Sequence, residues 1–198
     1  MCFGHIRVVP STLLSLNTSL ARELLVEGRS VMSGIGKRAV DGRRKVEPLG
    51  IEGDEQVDLT VHGGLSKAVY AYPAEHYPFW DTVRAQMGAA SWGAKLPFGA
   101  LGENLTLSGL LEIDVWIGDL LRFPDCTLAV SEPRFPCFKL DAALGFRQAG
   151  QAMKANAWCG FYLAVRVPGS IAAGERFEVI AGPREVGITE LFRARTRA

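Results

Sequence analysis

The chain has 198 residues, with 22 Lys and Arg against 21 Asp and Glu and a formal net charge of +1 at pH 7. Its residues are 48% hydrophobic and 22% charged, the balance of one folded domain, so a largely disordered chain is excluded. A net charge this close to zero excludes a general electrostatic pull, and neither nucleic acid nor a membrane is expected as a partner.

No run of about 18 apolar residues exists, so no spanning helix is expected. The apolar patch from Val8 to Leu16 is interrupted by Pro10, Ser11, Thr12 and Ser15 and reads as mature protein, not as a signal peptide. The cysteines at 2, 126, 137 and 159 form no C-x-x-C pair, so zinc ribbons and iron–sulfur runs have no support. Without an export signal the thiols are expected to be reduced and the protein cytoplasmic.

Short apolar runs between turn residues predict strands over His5–Val9, Glu23–Val26, Val31–Ile35, Lys67–Tyr72, Glu103–Leu107, Leu120–Phe123, Thr127–Ser131, Gly160–Val167 and Arg176–Ile180. In the eighth, Phe161, Leu163, Val165 and Val167 alternate with Tyr162, Ala164 and Arg166. Helices are predicted over Pro73–Met87, where Pro78 should kink the helix or reset its start, and over Leu144–Ala157. Residues 188–198 carry Arg193, Arg195 and Arg197 and read as a frayed basic tail or the stub of a helix. Many short strands with two inserted helices predict a mainly-β fold, a closed or nearly closed β-barrel.

Three segments can carry chemistry. The first runs from Gly53 to Lys67. In it, the pair Gly63-Gly64 can turn backbone N–H groups toward an anion, with His62 before it and Lys67 after it. A tight turn with a structural histidine explains the same pattern. A metal site from His62 with Asp54 or Asp58 is poorly supported, because only His5 and His76 remain to complete it. The second, Gly99-Ala100-Leu101-Gly102-Glu103-Asn104, is either a turn closed by its own Asn or a carboxylate and an amide aimed at a heterocycle edge.

The third segment, Ser131-Glu132-Pro133-Arg134-Phe135-Pro136-Cys137-Phe138-Lys139, says most. Two prolines stiffen the backbone into an extended run that ends at Cys137. Arg134 and Lys139 flank that thiol, and cations favour the thiolate, which is both nucleophile and soft-metal ligand. The other three cysteines lack this setting and are read as structural.

Together with Gly34-Ile35-Gly36-Lys37-Arg38, Lys67-Ala68-Val69, Tyr72-Pro73-Ala74-Glu75-His76-Tyr77 and Gly160-Phe161-Tyr162, these segments resemble MOSC-domain proteins of the YiiM type, in the family's order over residues 30–167. The resemblance implies a MOSC-type β-barrel with small helical insertions over residues 1–187, followed by the short basic tail 188–198. It implies a molybdenum cofactor (molybdopterin) whose metal is bound by Cys137, and reduction of N-hydroxylated compounds such as hydroxylamino-purines and amidoximes. Other members of the superfamily handle sulfur beside a pyridoxal-phosphate domain. Glu132 departs from the Gln expected in a Gln-Pro-Arg motif, and its added negative charge bears on the thiol and on a cofactor phosphate. The C-terminal helical region of longer YiiM-type proteins is not expected within these 198 residues.

On this reading Lys37, His62, Gly63, Gly64, Lys67, Glu103, Asn104, Arg134 and Lys139 are the candidate cofactor-binding residues. Cys137 and His62 are the candidate catalytic ones, with His62 as a proton donor near neutral pH. No dinucleotide fingerprint or cysteine cluster provides electrons, so a separate flavin- or haem-bearing reductase is expected to serve a small-molecule substrate. Two other readings stay open: persulfide transfer through Cys137, and a non-catalytic carrier of the molybdenum cofactor.

Overall fold

The structure, a computed structural model, describes residues 11–57 and 63–196. The expected strand His5–Val9, Cys2 and His62 lie outside the described residues. In chain order the strands are β1 (Thr12–Thr18), β2 (Arg22–Val26), β3 (Arg29–Ser33), β4 (Arg38–Ala39), β5 (Arg44–Glu47), β6 (Gly50–Ile51), β7 (Val69–Pro73) and β8 (Leu105–Ser108). They continue with β9 (Leu120–Arg122), β10 (Thr127–Pro133), β11 (Phe161–Val167), β12 (Gly169–Ile171) and β13 (Glu178–Ile180). The α-helices are α1 (Tyr77–Gln86), α2 (Phe138–Leu144), α3 (Ala149–Asn156) and α4 (Ile188–Thr196). None of the described helices is long and apolar enough to cross a membrane.

Eight strands form the main sheet in the order β13-β9-β10-β11-β7-β8-β1-β4. Its pairs are antiparallel except β7 with β8. Strand β7 is buried along its whole length, which is why Val69-Tyr70-Ala71-Tyr72-Pro73 reads as an unbroken apolar run with no polar face. Leu13, Leu16, Leu105, Leu107, Leu121, Leu128 and Phe161 fill the space the curved sheet encloses, and Trp80 of α1 packs against them.

The fold is mainly β, as expected, but among the described residues the ladder does not close into a barrel. The start of β1 meets the segment just before β13 only through the Thr12–Arg176 bridge and the hydrogen bonds of Ser11–Leu13 with residues 174–177. The chain there turns through Gly174 at φ +88 instead of running on as a strand.

The helices also differ in extent. Pro78 sits in the first turn of α1, so the helix starts at Tyr77 and a 3-10 turn takes Ala74–His76. Of the expected helix Leu144–Ala157 only Ala149–Asn156 is helical, as α3; Leu144 is the last residue of α2, which Gly145 ends in the left-handed conformation at φ +78. The C-terminal segment is a docked helix and not a frayed tail. Ile188 and Phe192 are both fully buried, and the Ile188 N–H donates to the Val115 carbonyl at 2.9 Å.

Candidate functional site

The site is built where β10 runs out. Its last residue pairs Pro133 with Phe161 of β11, and the chain then leaves the sheet as Arg134-Phe135-Pro136-Cys137 before α2 begins. Pro133 and Pro136 lack N–H groups, so this run cannot continue a ladder and stands off as a loop. Arg134 and Cys137 face a half-open cavity of about 100 Å³, while Phe135 is not among the residues lining it.

The cavity floor comes from register. Tyr162 of β11 lies opposite Tyr70 of β7, and the two rings meet with centroids 5.4 Å apart. Burial raises both phenols above their ordinary range, so they present neutral hydroxyls at neutral pH. The Tyr70 hydroxyl donates to the Cys159 carbonyl at 2.9 Å. The crossing at Gly160 admits no side chain: its φ is +62, and a Cβ there would lie 2.4 Å from the Ala71 carbonyl oxygen.

One wall is a buried polar hub on Asp54. Its Oδ1 accepts from Lys37 Nζ and, at 2.8 Å, from the Ser19 N–H; its Oδ2 accepts from Asn104 Nδ2 at 2.9 Å. Asn104 also donates to the Asn17 carbonyl at 3.2 Å and accepts the Tyr70 N–H at 3.0 Å. The Asn104 amide therefore rivets the start of β8 to the neighbouring strands while lining the cavity. Lys37 lines it too, but its charge is matched by Asp54.

The opposite wall is basic. Lys67 lies 3.8 Å from Glu132 and 5.9 Å from the centroid of the Tyr162 ring. Glu132, the departure from the family motif, thus tempers Lys67 and does not line the cavity. Lys139 donates to the Met32 carbonyl at 3.0 Å. Arg134 is only 5% exposed. Its Nη1 donates to the Met153 sulfur at 3.4 Å, and its guanidinium lies 5.6 Å from the centroid of the Tyr70 ring. Among the described residues no carboxylate pairs with it, although a buried guanidinium keeps its charge. A thioether, a ring face and the Tyr162 side chain compensate that charge weakly, so the position suits an anionic group.

Cys126, Cys137 and Cys159 lie among the described residues, and their settings differ. Burial pushes the Cys126 thiol up to about 12 and holds the Cys159 thiol well above its usual range. Cys137 is half-exposed at the N-cap position of α2, beside Arg134 and Lys139 on the cavity surface.

The structure therefore brings Lys37, Lys67, Asn104, Arg134, Cys137 and Lys139 to one cavity. Glu103 is not there. It is fully buried on the other side of the chain, where its Oε1 accepts from the Tyr77 hydroxyl, the Gly99 N–H at 2.7 Å and the Thr106 hydroxyl at 2.8 Å. Gly63 and Gly64 do not line the cavity either, and the Gly64 N–H, expected to face an anion, donates to Gln56 Oε1 at 2.7 Å. Sequence reasoning missed Tyr70 and Tyr162 as walls and Asp54 as the hub. The alternation of β11 signalled an inward face but not its partner.

The donor set limits what can bind. Among the described residues no three His, Cys, Asp or Glu side chains gather to hold a metal by themselves. One soft thiolate ringed by cations suits a metal that arrives with its own anionic sulfur ligands and needs one more. The residues present fit a molybdenum cofactor in that sense.

Fold and cleft define a mainly-β protein whose cavity carries one accessible thiol among cationic side chains. The family model described as MOSC domain matches residues 58–178. The chain is 36% identical to YflK of Bacillus subtilis over 181 residues, covering 91% of this chain and 78% of that one. It is 35% identical to YiiM of Escherichia coli over 161 residues, 80% and 68% of the two chains. The crystal structure of YiiM from Geobacillus stearothermophilus superposes with a TM-score of 0.73 at 28% identity, covering 94% of this chain and 84% of that one. This chain belongs to the MOSC-domain family. A relative in Gibberella moniliformis named Reductase is 32% identical over 157 residues, 79% of this chain but 27% of that longer one.

Proposed function

We propose that the protein binds a molybdenum cofactor through Cys137 and reduces N-hydroxylated small molecules, hydroxylamino-purines and amidoximes among them, to amines. The observation that carries this reading is the half-exposed Cys137 opening into the same cavity as the buried, carboxylate-free Arg134. Family membership and the relative named Reductase favour an oxidoreductase over a sulfur carrier.

When bound, the cofactor supplies the two-electron exchange by which an N-hydroxyl oxygen is lost as water. The Cys137 thiolate is the protein's ligand to the metal. Arg134, Lys67 and Lys139 provide positive charge for the cofactor's anionic groups, with Arg134 suited to a planar bidentate partner such as phosphate. Asp54 and Asn104 hold one wall rigid, and Tyr70 and Tyr162 form the floor, their neutral hydroxyls adding no charge. The balance is R–NH–OH plus two electrons and two protons to R–NH2 and water. His62 is assigned delivery of a proton. The electrons come from a separate flavin- or haem-bearing reductase.

The test begins with elemental analysis of freshly purified protein. Stoichiometric molybdenum is expected in the wild type and none in Cys137→Ala, with the melting temperature of the apo form unchanged. Turnover of 6-hydroxylaminopurine or benzamidoxime with an added reductase is expected only for the loaded wild type. A Cys137→Ala protein that keeps both metal and turnover overturns the assignment.

A further inference from the structure

The residues that set Cys137 in place are not all at the cavity. Along Arg134-Phe135-Pro136-Cys137, Arg134 and Cys137 line the cavity and Phe135 does not. Its ring instead stacks on Phe192 of α4, centroids 5.4 Å apart and planes 17° from parallel. The Arg195 guanidinium lies 5.9 Å from the centroid of the same ring. Phe135 is thus gripped from one helix, by an aromatic ring and by a cation one turn-face along it.

That helix is itself anchored. The Ile188 N–H donates to the Val115 carbonyl at 2.9 Å, and just before it the Ile117 N–H donates to the Val186 carbonyl at 3.0 Å. Ile188 and Phe192 are both fully buried. The loop is held less regularly, through the buried Arg134 side chain on Met153 and the Leu140 N–H that donates to the Cys137 carbonyl at 3.0 Å. Pro133 and Pro136 donate no backbone hydrogen bonds, and the extended run leaves the β10–β11 ladder at the Pro133–Phe161 pair.

We propose that α4 is a positioning device for the cysteine loop: Phe192, assisted by Arg195, clamps Phe135 and thereby fixes where the Cys137 sulfur and the Arg134 guanidinium stand in the cavity. Residues 188–196 are then part of the site's machinery although none of them lines the cavity. The clamp acts on the chain's own geometry and holds whether or not the cavity takes a molybdenum cofactor.

The experiment uses the full-length protein without cofactor and four variants: Phe192→Ala, Phe192→Leu, Phe192→Tyr and Arg195→Gln. Two readouts are local. One is the rate of iodoacetamide labelling at a single pH, read by mass spectrometry on the Cys137 peptide. The other is backbone hydrogen exchange over residues 134–140, with the β11 peptide as internal control. Phe192→Leu keeps most of the buried apolar volume but loses the ring stack, so it should stay folded. It should change the labelling rate roughly two- to tenfold, the scale of a coupled neighbour, with faster exchange confined to the loop. Phe192→Tyr keeps the ring and should restore both readouts toward wild type, and exposed Arg195→Gln should move them in the same sense as Leu by less. Should Phe192→Ala unfold, the Leu, Tyr and Arg195 comparisons still decide. Wild-type labelling and loop exchange in folded Phe192→Leu would overturn the clamp, as would changes in all variants that follow melting temperature and not the presence of the ring. Neither outcome bears on molybdenum content, so failure of the clamp is distinct from failure of the functional reading.

Discussion

Two buried polar regions lie back to back across the start of β8, and consecutive residues supply them. Asn104 turns toward the cleft, where it bonds Asp54, the Asn17 carbonyl and Tyr70. Glu103 turns the other way, into a closed pit beneath Tyr77, Gly99 and Thr106. Opposite facing is what an extended backbone imposes on neighbours. The cleft collects cations and opens to solvent. The pit buries one acid, whose Oε2 has no partner among the described residues. A ligand can reach only the first, so the difference separates two jobs that the motif Gly-Glu-Asn carries side by side. Asn104 shapes the site, and Glu103 ties Tyr77, Gly99 and Thr106 together behind it.

The sharpest way to break that division is Glu103→Ala. It strands the Tyr77 and Thr106 hydroxyl donors in a closed space and leaves the Gly99 N–H only the Tyr77 oxygen, 3.1 Å away. Unmet buried donors cost about 1–3 kcal/mol each before relaxation, so a loss of about 3–5 kcal/mol is expected in denaturant melts. Cys137 labelling per folded molecule should not change, because no cavity-lining side chain is removed. If labelling changes while stability does not, the two regions are not separate. Lys37→Met probes the cleft side. It leaves the Asp54 carboxylate buried without its cation, while the Ser19 N–H and Asn104 Nδ2 still donate to it. The cost should sit near the low end for a broken buried pair, about 3 kcal/mol. Unlike the pit variant, it should also alter labelling of Cys137, since the Asp54–Asn104 wall loosens. A neutral Lys37→Met would mean that the pair is not a buttress of the cavity.

Much of the site was legible because backbone chemistry announces it. Two prolines flanking Arg134, the second followed by Cys137, forced a loop, and α2 begins just after that cysteine. The motif residues Lys37, Lys67, Asn104, Arg134 and Lys139 do converge on that thiol. Strand existence was also readable from alternation, as in β11, though β1, β4, β5, β6 and β12 were not predicted. What escaped depends on pairing between distant segments. The face of Tyr162 follows from its register with Tyr70, ninety-odd residues away, which no local pattern encodes. Gly64 offered an N–H to an anion on paper, but the Gln56 side chain claims it. The late start of the second expected helix turns on the left-handed Gly145 and Gln148 between α2 and α3, and the C-terminal helix is ordered by burial of Ile188 and Phe192 against residues far back in the chain. Its arginines suggested a solvated tail because charge was counted without the apolar face between the charges.

The mildest variant gives the most specific reading of the pit. Burial raises the Glu103 carboxyl above its usual range, and the hydrogen bonds from Tyr77, Gly99 and Thr106 only partly oppose that. A carboxyl with a folded pKa above its unfolded value holds its proton more tightly in the native state. The stability it contributes is fully present below the unfolded value, about 4.3, and is lost as pH rises through the folded one. Glu103→Gln keeps the shape and an acceptor at the Oε1 position but cannot ionise. At low pH it should cost no more than about 1–2 kcal/mol, for an amide N–H placed where Oε2 has no partner. As pH rises, the wild type should lose stability relative to Glu103→Gln, so the gap between their denaturation midpoints narrows or reverses. The check is a series of urea melts of both proteins from pH 4.5 to pH 8. Parallel curves across that range would mean that Glu103 keeps an ordinary carboxyl pKa. The pit would then be as well solvated, electrostatically, as the cleft beside it.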